Sequence, residues 1–101
     1  MATILLSGVD LFFRGKLDAM LGATHTVVVK PESAPDLVIA DIAQVDLDEI
    51  VGSYPGTPVL GFTRHTDTAG LKSARAAGFD RVVARSALTE RGAAIVDELL
   101  S

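Results

Sequence analysis

Apolar positions along this chain come in short runs, separated by segments in which they recur every three or four residues. The runs have the length and composition of buried strands and cover residues 2–6, 26–29, 37–40, 58–63 and 81–85. The segments between them mostly have helical periodicity, as in the stripe of Phe13, Leu17 and Leu21. Strands that alternate with helices predict an α/β domain with a parallel sheet between two helical layers.

Capping residues mark the ends of these predicted helices. Aspartate and serine are favoured at N-caps, and glycine is favoured just after a helix ends. The expected caps and stops are Asp10 and Gly22 for the first helix, Asp67 or Thr68 and Gly78 for the helix after the fourth strand, and Ser86 for the last helix. The helix after the third strand is expected to bury Ile42, Val45, Ile50 and Val51.

The connection between the second and third strands is too short for the usual pattern. Only residues 31–36 lie between Lys30 and Leu37, and two of them, Pro31 and Pro35, are prolines. A crossover between parallel strands normally takes about a dozen residues or more. We therefore expect an extended loop in place of the second helix.

Three strands end on polar residues of complementary character. Asp41, Thr63 and Arg85 follow the third, fourth and fifth apolar runs. Because ligands of open α/β sheets bind at the carboxyl ends of the strands, these three side chains are expected to converge in one crevice.

Length and composition exclude several classes of protein. The chain has 101 residues, no cysteine and a net charge of −4. One domain spanning residues 1–101 is expected, without disulfides, and the acidic balance argues against general nucleic-acid binding. No apolar run approaches the roughly 20 residues of a membrane helix, so a soluble cytoplasmic protein is expected.

The charges are unevenly distributed. Cations are concentrated in the last third of the chain, where they include Arg64, Lys72, Arg75, Arg81, Arg85 and Arg91. Such a region can be an ordinary solvated surface or a docking surface for an acidic partner.

Three segments together resemble the CheY-like receiver domains of two-component response regulators: residues 36–41 (DLVIAD), 57–65 (TPVLGFTRH) and 76–80 (AAGFD). The resemblance covers nearly the whole chain. It implies a flavodoxin-like, doubly wound, parallel five-stranded sheet of order 2-1-3-4-5. It also places Asp41 at the phosphoacceptor position and implies a partner surface on the fourth helix, fifth strand and fifth helix of the family, where Lys72, Arg75, Arg81 and Arg91 lie.

Several positions depart from the receiver pattern. Receivers carry an acidic pair for magnesium after the first strand, but this chain has Gly8 and Val9 there. Arg85 replaces the family's lysine, Arg64 stands where a small residue is usual, and Val82 replaces an aromatic switch residue. Without the acidic pair, the resemblance predicts that metal binding is lost. Asp10 follows one position later and is expected to cap the helix.

Two interpretations of Asp41 remain open at this point. Asp41 can form a charge-assisted pair with Arg85 or Arg64. Alternatively, it can accept backbone hydrogen bonds at the start of the next helix. Thr63 either remains from a phosphate site or only forms hydrogen bonds with nearby backbone groups.

The resulting hypothesis is a stand-alone pseudo-receiver. It would act in signal transduction by protein–protein interaction, without enzymatic activity or a cofactor. Its partner would be a histidine kinase, a downstream regulator or a second copy of the chain. One alternative is an active receiver that a histidine kinase phosphorylates on Asp41 with magnesium. The other is an anion- or nucleotide-binding domain that uses the crevice of Asp41, Thr63 and Arg85.

Overall fold

The strands of the chain form one parallel sheet. The structure, a computed structural model, describes residues 2–30 and 34–101. In chain order, these residues form β1 (Thr3–Ser7), α1 (Leu11–Leu21), β2 (Thr26–Val28), β3 (Leu37–Asp41), α2 (Leu47–Ser53), β4 (Val59–Thr63), α3 (Thr68–Ala77), β5 (Arg81–Ala84) and α4 (Arg85–Leu100). The strand order is β2-β1-β3-β4-β5 with every pair parallel, which confirms the predicted flavodoxin-like topology.

The helices cover both faces of this sheet. Side chains of α1 and α4 pack with Ile4, Leu6, Ile39 and Phe62 on one face. Side chains of α2 and α3 pack with Leu5, Val38 and Ala40 on the other. The central strands β3 and β4 are buried along their whole length, as expected for strands covered on both sides.

Two of the predicted N-caps are confirmed, and one is wrong. The Asp10 carboxylate accepts from the Phe13 N–H at the start of α1, and the Asp67 carboxylate accepts from the Gly70 N–H at the start of α3. Ser86 does not cap the last helix, because α4 begins at Arg85, directly after β5. Ala84 occupies the N-cap position there, with no side-chain hydrogen bond. The early start places Arg85 in the first turn of α4.

The helix after β3 is shorter than the sequence predicts. It begins at Leu47, and the Asp46 carboxylate accepts from the Glu49 N–H as its N-cap. Ile42 is buried as expected, but it lies in a turn closed by a hydrogen bond from the Gln44 N–H to the Asp41 carbonyl. The placement of Ile42 and Val45 inside a helix is therefore wrong.

The short β2–β3 connection is attached to the first strand. Asp36 donates its N–H to the Thr3 carbonyl and accepts the Thr3 N–H on its carboxylate, both at 2.8 Å. The described flanks, residues 29–30 and 34–36, are not helical. Residues 31–33, on which the rest of the predicted extended loop falls, lie outside the described residues.

Gly92 directly follows a kink in α4 at Arg91, whose φ of −130° and ψ of 19° are not helical. A methyl group at this position would overlap Met20 of α1. Glycine therefore permits the close contact between α4 and α1.

Within the described residues, no helix is long and apolar enough to cross a membrane.

Candidate functional site

The predicted crevice lies at the carboxyl ends of β3, β4 and β5. Asp41 is the last residue of β3, Thr63 is the last residue of β4, and Arg85 follows β5 directly. The register pairs Asp41 with Phe62 and Thr63 with Ala84, so the three residues occupy neighbouring strand ends. Asp41 and Thr63 are 6% and 4% exposed, which is unusual for polar residues.

Arg85 is the centre of this crevice. Its Nη2 lies 3.2 Å from Asp10 Oδ2 and 3.5 Å from Asp41 Oδ2. The guanidinium carbon lies 4.7 Å from the centroid of the Phe13 ring and 5.5 Å from that of the Phe62 ring. A planar guanidinium can satisfy carboxylates at its edge and stack on aromatic faces at the same time, which lysine cannot do. The aromatic pair and the carboxylates together fix the position of this cation.

Asp41 pairs with Arg85 and also accepts a backbone hydrogen bond. Its Oδ1 accepts from the Ala43 N–H at 3.1 Å, at the turn that leads toward α2. Its Oδ2 faces Arg85. The pair with Arg85 is confirmed, and Asp41 also accepts a backbone hydrogen bond, although in the turn at Ala43 and not at the start of α2. Arg64, the other candidate partner, is exposed and forms no ion pair with any residue in the described ranges.

Asp10 connects the first helix to the crevice. One carboxylate oxygen caps α1 at Phe13, and the other accepts a hydrogen bond from Arg85. The Phe13 N–H has the largest effect on the pKa of Asp10 and lowers it below the ordinary value of 3.8. Desolvation opposes this effect, and the Arg85 guanidinium lowers the pKa further. The sequence predicted only the capping role.

Thr63 forms a hydrogen bond with a residue outside the Asp41–Arg85 pair. Its hydroxyl donates to Asp67 Oδ2 at 3.0 Å, while Asp67 Oδ1 caps α3. The hydroxyl thus supports the start of α3 through the Asp67 side chain, whereas the local interpretation of Thr63 predicts a backbone partner. The crevice brings Asp41 and Arg85 into contact, with Thr63 on the adjacent strand.

Gly8 and Val9 occupy the positions where receivers have acids. Gly8 adopts a φ of +68°, a left-handed conformation that favours glycine. A Cβ at Gly8 would lie 2.7 Å from Val45 Cγ1. Val9 packs against the apolar cluster of α1 and α4. A side chain at Gly8 would therefore require a local rearrangement, and an acid at Val9 would lose this apolar contact.

The receiver fold would imply a magnesium ion at this site. The side chains that could serve as its ligands here do not fit one. Magnesium requires a near-octahedral shell of oxygen ligands. In the described part of the chain, no group of three or more acidic or histidine side chains is placed to hold a metal. The two carboxylates that do approach each other, Asp10 and Asp41, both face the Arg85 guanidinium.

The basic residues predicted to bind a partner lie outside the crevice. Lys72 and Arg75 are exposed on α3, and Arg91 is exposed on α4. Arg81 is half-buried in β5 and is paired with Glu98 of α4. Hydrogen bonding to Arg81 and the charge of Arg81 lower the pKa of Glu98. Arg81 is therefore partly neutralised, whereas Lys72, Arg75 and Arg91 form no ion pair within the described ranges.

The sequence did not predict that two capping aspartates also belong to the site. Asp10 and Asp67 each cap a helix with one oxygen and bind a crevice residue with the other. Their capping positions could be read from the sequence. The second contact depends on where Arg85 and Thr63 point, which the sequence pattern does not determine.

Known structures share this fold at low sequence identity. No protein-family model matches the sequence, and no curated protein matches it significantly. NtrX from Brucella abortus is similar with a TM-score of 0.86 and 22% identity, over 98% of this chain and 27% of the NtrX chain. This chain therefore spans about a quarter of NtrX.

Two receivers solved alone are similar over their full length. The receiver domain of Brucella abortus NtrX has a TM-score of 0.81 and 20% identity, over 96% of this chain and 97% of that one. The chemotaxis protein CheY4 of Vibrio cholerae has a TM-score of 0.81 and 16% identity, over 99% of both chains. The chain thus has the receiver-domain fold of two-component response regulators.

Proposed function

We propose that this chain is a pseudo-receiver, which acts in signal transduction by binding another protein and not by metal-dependent phosphorylation. The observation that carries the proposal is the position of the Arg85 guanidinium between the Asp10 and Asp41 carboxylates. In a phosphorylated receiver, a magnesium ion would neutralise charge at the acceptor aspartate. Here a cation of the chain itself supplies the positive charge at Asp41.

The surroundings of Asp41 also oppose phosphoryl transfer. One carboxylate oxygen accepts the Ala43 N–H, and the other faces Arg85. A phosphodonor would have to displace the guanidinium to reach an oxygen of Asp41, which is 6% exposed. Displacement would also remove Arg85 from Asp10, Phe13 and Phe62. Four contacts thus favour the closed crevice.

The exposed cations of α3 and α4 support a protein partner. Lys72, Arg75 and Arg91 carry no intramolecular ion pair in the described ranges and are free to face an acidic surface. This region corresponds to the surface that the receiver resemblance implies for partners. A histidine kinase or a downstream regulator with an acidic docking site fits this chemistry.

Incubation with magnesium and acetyl phosphate tests the proposal. We expect no phosphate-dependent mobility shift of the wild-type chain on a phosphate-affinity gel, and no mass increase. The Asp41→Asn variant is the matched control, since it keeps the side-chain size and removes the acceptor. A shift in the wild type that Asp41→Asn abolishes would establish an active receiver.

A second candidate, the active receiver, is favoured by one observation. Asp10 and Asp41 approach the same guanidinium nitrogen, so two carboxylates would face a metal ion if Arg85 moved away. The Arg85→Lys variant in the same assay separates two causes of inactivity. Phosphorylation gained with lysine would identify the guanidinium as the block. If the Arg85→Lys variant is still not phosphorylated, the lack of acids at Gly8 and Val9 is identified as the cause of the inactivity.

Anion or nucleotide binding is the third candidate. NtrX from Brucella abortus has been solved in complex with ADP and with ATP, but this chain spans only 27% of it. A thermal-shift series with phosphate, ADP and ATP tests the crevice directly. We expect an unchanged melting temperature, because Arg85 is already paired with two carboxylates. A rise at sub-millimolar ligand would favour this candidate.

A further inference from the structure

The helix that carries Arg85 begins with a short separate segment. The kink at Arg91 divides α4, so that residues 85–90 form a helical segment of less than about two turns ahead of it. Helices of this length are not stable by themselves in water. Tertiary contacts must therefore decide where this segment begins.

The observed start of α4 has little local support. Ala84 is at the N-cap and provides no side-chain hydrogen bond to the first turn. Alanine is a poor N-cap because it has no oxygen that can accept from a free N–H of that turn. The start at Arg85 thus depends on its tertiary contacts, in which the guanidinium meets Asp10, Asp41 and two aromatic rings.

A second start, two residues later, has the better cap. Ser86 is exposed, and its hydroxyl forms no hydrogen bond within the described ranges. Serine is a preferred N-cap residue, and in a helix that begins at Ala87 its hydroxyl can accept from the Thr89 N–H. Leu88, which is fully buried in the core, stays helical with either start. The core contact of the segment is therefore the same in both.

We propose that α4 alternates between these two starts, so that its first turn is a latch on the Asp41 crevice. With the closed start, the helix begins at Arg85 and the guanidinium lies against Asp10 and Asp41. With the open start, Ser86 caps the helix and the guanidinium leaves both carboxylates. The Arg85 side chain is already 41% exposed, so it can leave without disturbing the core. The structure shows the closed start, and the Ser86 cap partly offsets the contacts that opening breaks.

Opening of the latch presents Arg85 to a partner. The released guanidinium is attached beside Arg64, because Thr63 and Ala84, which precede the two arginines, are paired in the β4–β5 register. Arg64 is itself exposed. An acidic partner thus meets two cations only when the latch is open, and its binding favours the open start. This coupling rests on the proposed function, whereas the latch itself can be tested without a partner.

Arg85→Ala tests whether the side-chain contacts of Arg85 set the start of α4. The start should move to Ser86, so the ¹³C chemical shifts of the Ser86 Cα and Cβ should change from helical values to those of an N-cap. Arg64→Ala, the same change after the neighbouring strand β4, is the matched control and should leave Ser86 helical. A Ser86 that stays helical in Arg85→Ala overturns the latch.

NMR relaxation dispersion measures the open start in the wild type, without magnesium or a phosphodonor. We expect microsecond-to-millisecond exchange at the amides of Arg85 and Ser86 and at the Arg85 Nε–H. Ser86→Ala removes the cap of the open start and should lower its population about fivefold, as loss of a typical N-cap does. Ala84→Ser adds a cap to the closed start and should act in the same direction. Ser73→Ala, the same change at an exposed position within α3, should leave the exchange unaltered.

Two results of the dispersion experiment overturn the latch. One is a wild type without exchange at Arg85 and Ser86, and the other is exchange that Ser86→Ala leaves unchanged. Neither result touches the pseudo-receiver proposal, which the phosphorylation assay on Asp41 tests separately.

Discussion

Arg85 joins four side chains that come from three different elements of the fold. It pairs with Asp10 before α1 and Asp41 of β3, and it stacks on Phe13 and Phe62. A lysine at this position would keep the charge but lose the stacking and the planar fork. The arginine therefore gives the crevice an internal cation that several contacts hold in place.

Truncation of Arg85 should weaken the fold. Arg85→Ala leaves the nearly buried Asp41 carboxylate without its cation and removes two cation–π contacts. The expected loss is about 1–2 kcal/mol of unfolding free energy, because Arg85 itself is partly solvated. Urea denaturation measures it. Arg64→Ala, which removes an exposed arginine without an ion pair in the described ranges, should change the stability by less than about 0.5 kcal/mol. Equal effects of the two variants would contradict the role of Arg85.

The lowered pKa of Asp10 predicts a direction of pH dependence. The carboxyl ionises more readily in the folded state than at its ordinary value of 3.8, so the folded state binds fewer protons. The contribution of the ionised Asp10 to the free energy of unfolding is fully present above pH 3.8 and is lost as the pH falls through the lower, folded-state pKa. Asp10→Asn retains the capping ability and removes the charge. It should therefore lower the denaturation midpoint near neutral pH, and this effect should shrink as the pH falls below 3.8 through the folded-state pKa. A deficit that stays the same from neutral to acid pH would contradict the charge-based explanation.

The elements of the fold were largely predictable from the sequence, and the exceptions have physical causes. Buried apolar runs and the caps Asp10, Asp67 and Gly78 indicated the strands and most helix ends. Ser86 has the right chemistry for an N-cap, but α4 starts earlier, at Arg85, within contact distance of Asp10 and Asp41. Similarly, a tight turn after Asp41 delays α2 until Asp46 provides a cap. Tertiary contacts, which local patterns do not encode, decide these boundaries.

Close packing around Gly61 of β4 gives a prediction about the stability of the sheet. A Cβ at Gly61 would lie 2.6 Å and 2.8 Å from two ring carbons of Phe79 and 3.0 Å from Ile42 Cδ1. Gly61→Ala should therefore destabilise the chain by about 1–3 kcal/mol through overpacking. Gly15→Ala in α1, where no atom lies within 4 Å of the new methyl group, should stabilise it by up to about 1 kcal/mol. Thermal unfolding of both variants compares them, and a neutral Gly61→Ala would contradict the packing of Phe79.

For the molecule as a whole, the charges separate a closed crevice from an exposed basic surface. The basic residues Lys72, Arg75 and Arg91 lie exposed on α3 and α4. The contact between Asp41 and Arg85 could be predicted because Asp41 ends β3 and Arg85 directly follows β5, with only β4 between these parallel strands. The identity of their contacts depended on side-chain directions that the sequence leaves open.

Charge reversal tests the basic surface. The double variant Arg75→Glu/Arg91→Glu should reduce capture of a protein partner in pull-down experiments, because it places two anions where an acidic partner would dock. Arg14→Glu/Lys16→Glu on α1, which changes the net charge by the same amount, is the control on a different surface. Capture that is unchanged by the double variant, with the partner identified by mass spectrometry in both cases, would exclude this surface as the docking site.

We propose that Arg85, and not a metal ion with a phosphoryl group, occupies the crevice at Asp41. An NMR titration of the ¹⁵N-labelled chain with magnesium and beryllofluoride, a mimic of the phosphorylated aspartate, tests this occupancy directly. We expect the amide signals of Asp41, Phe62 and Thr63 and the Arg85 Nε–H signal to stay in place. Shifts of these signals in the wild type that disappear in Asp41→Asn would contradict it, since they would show that the crevice opens and accepts the phosphoryl mimic.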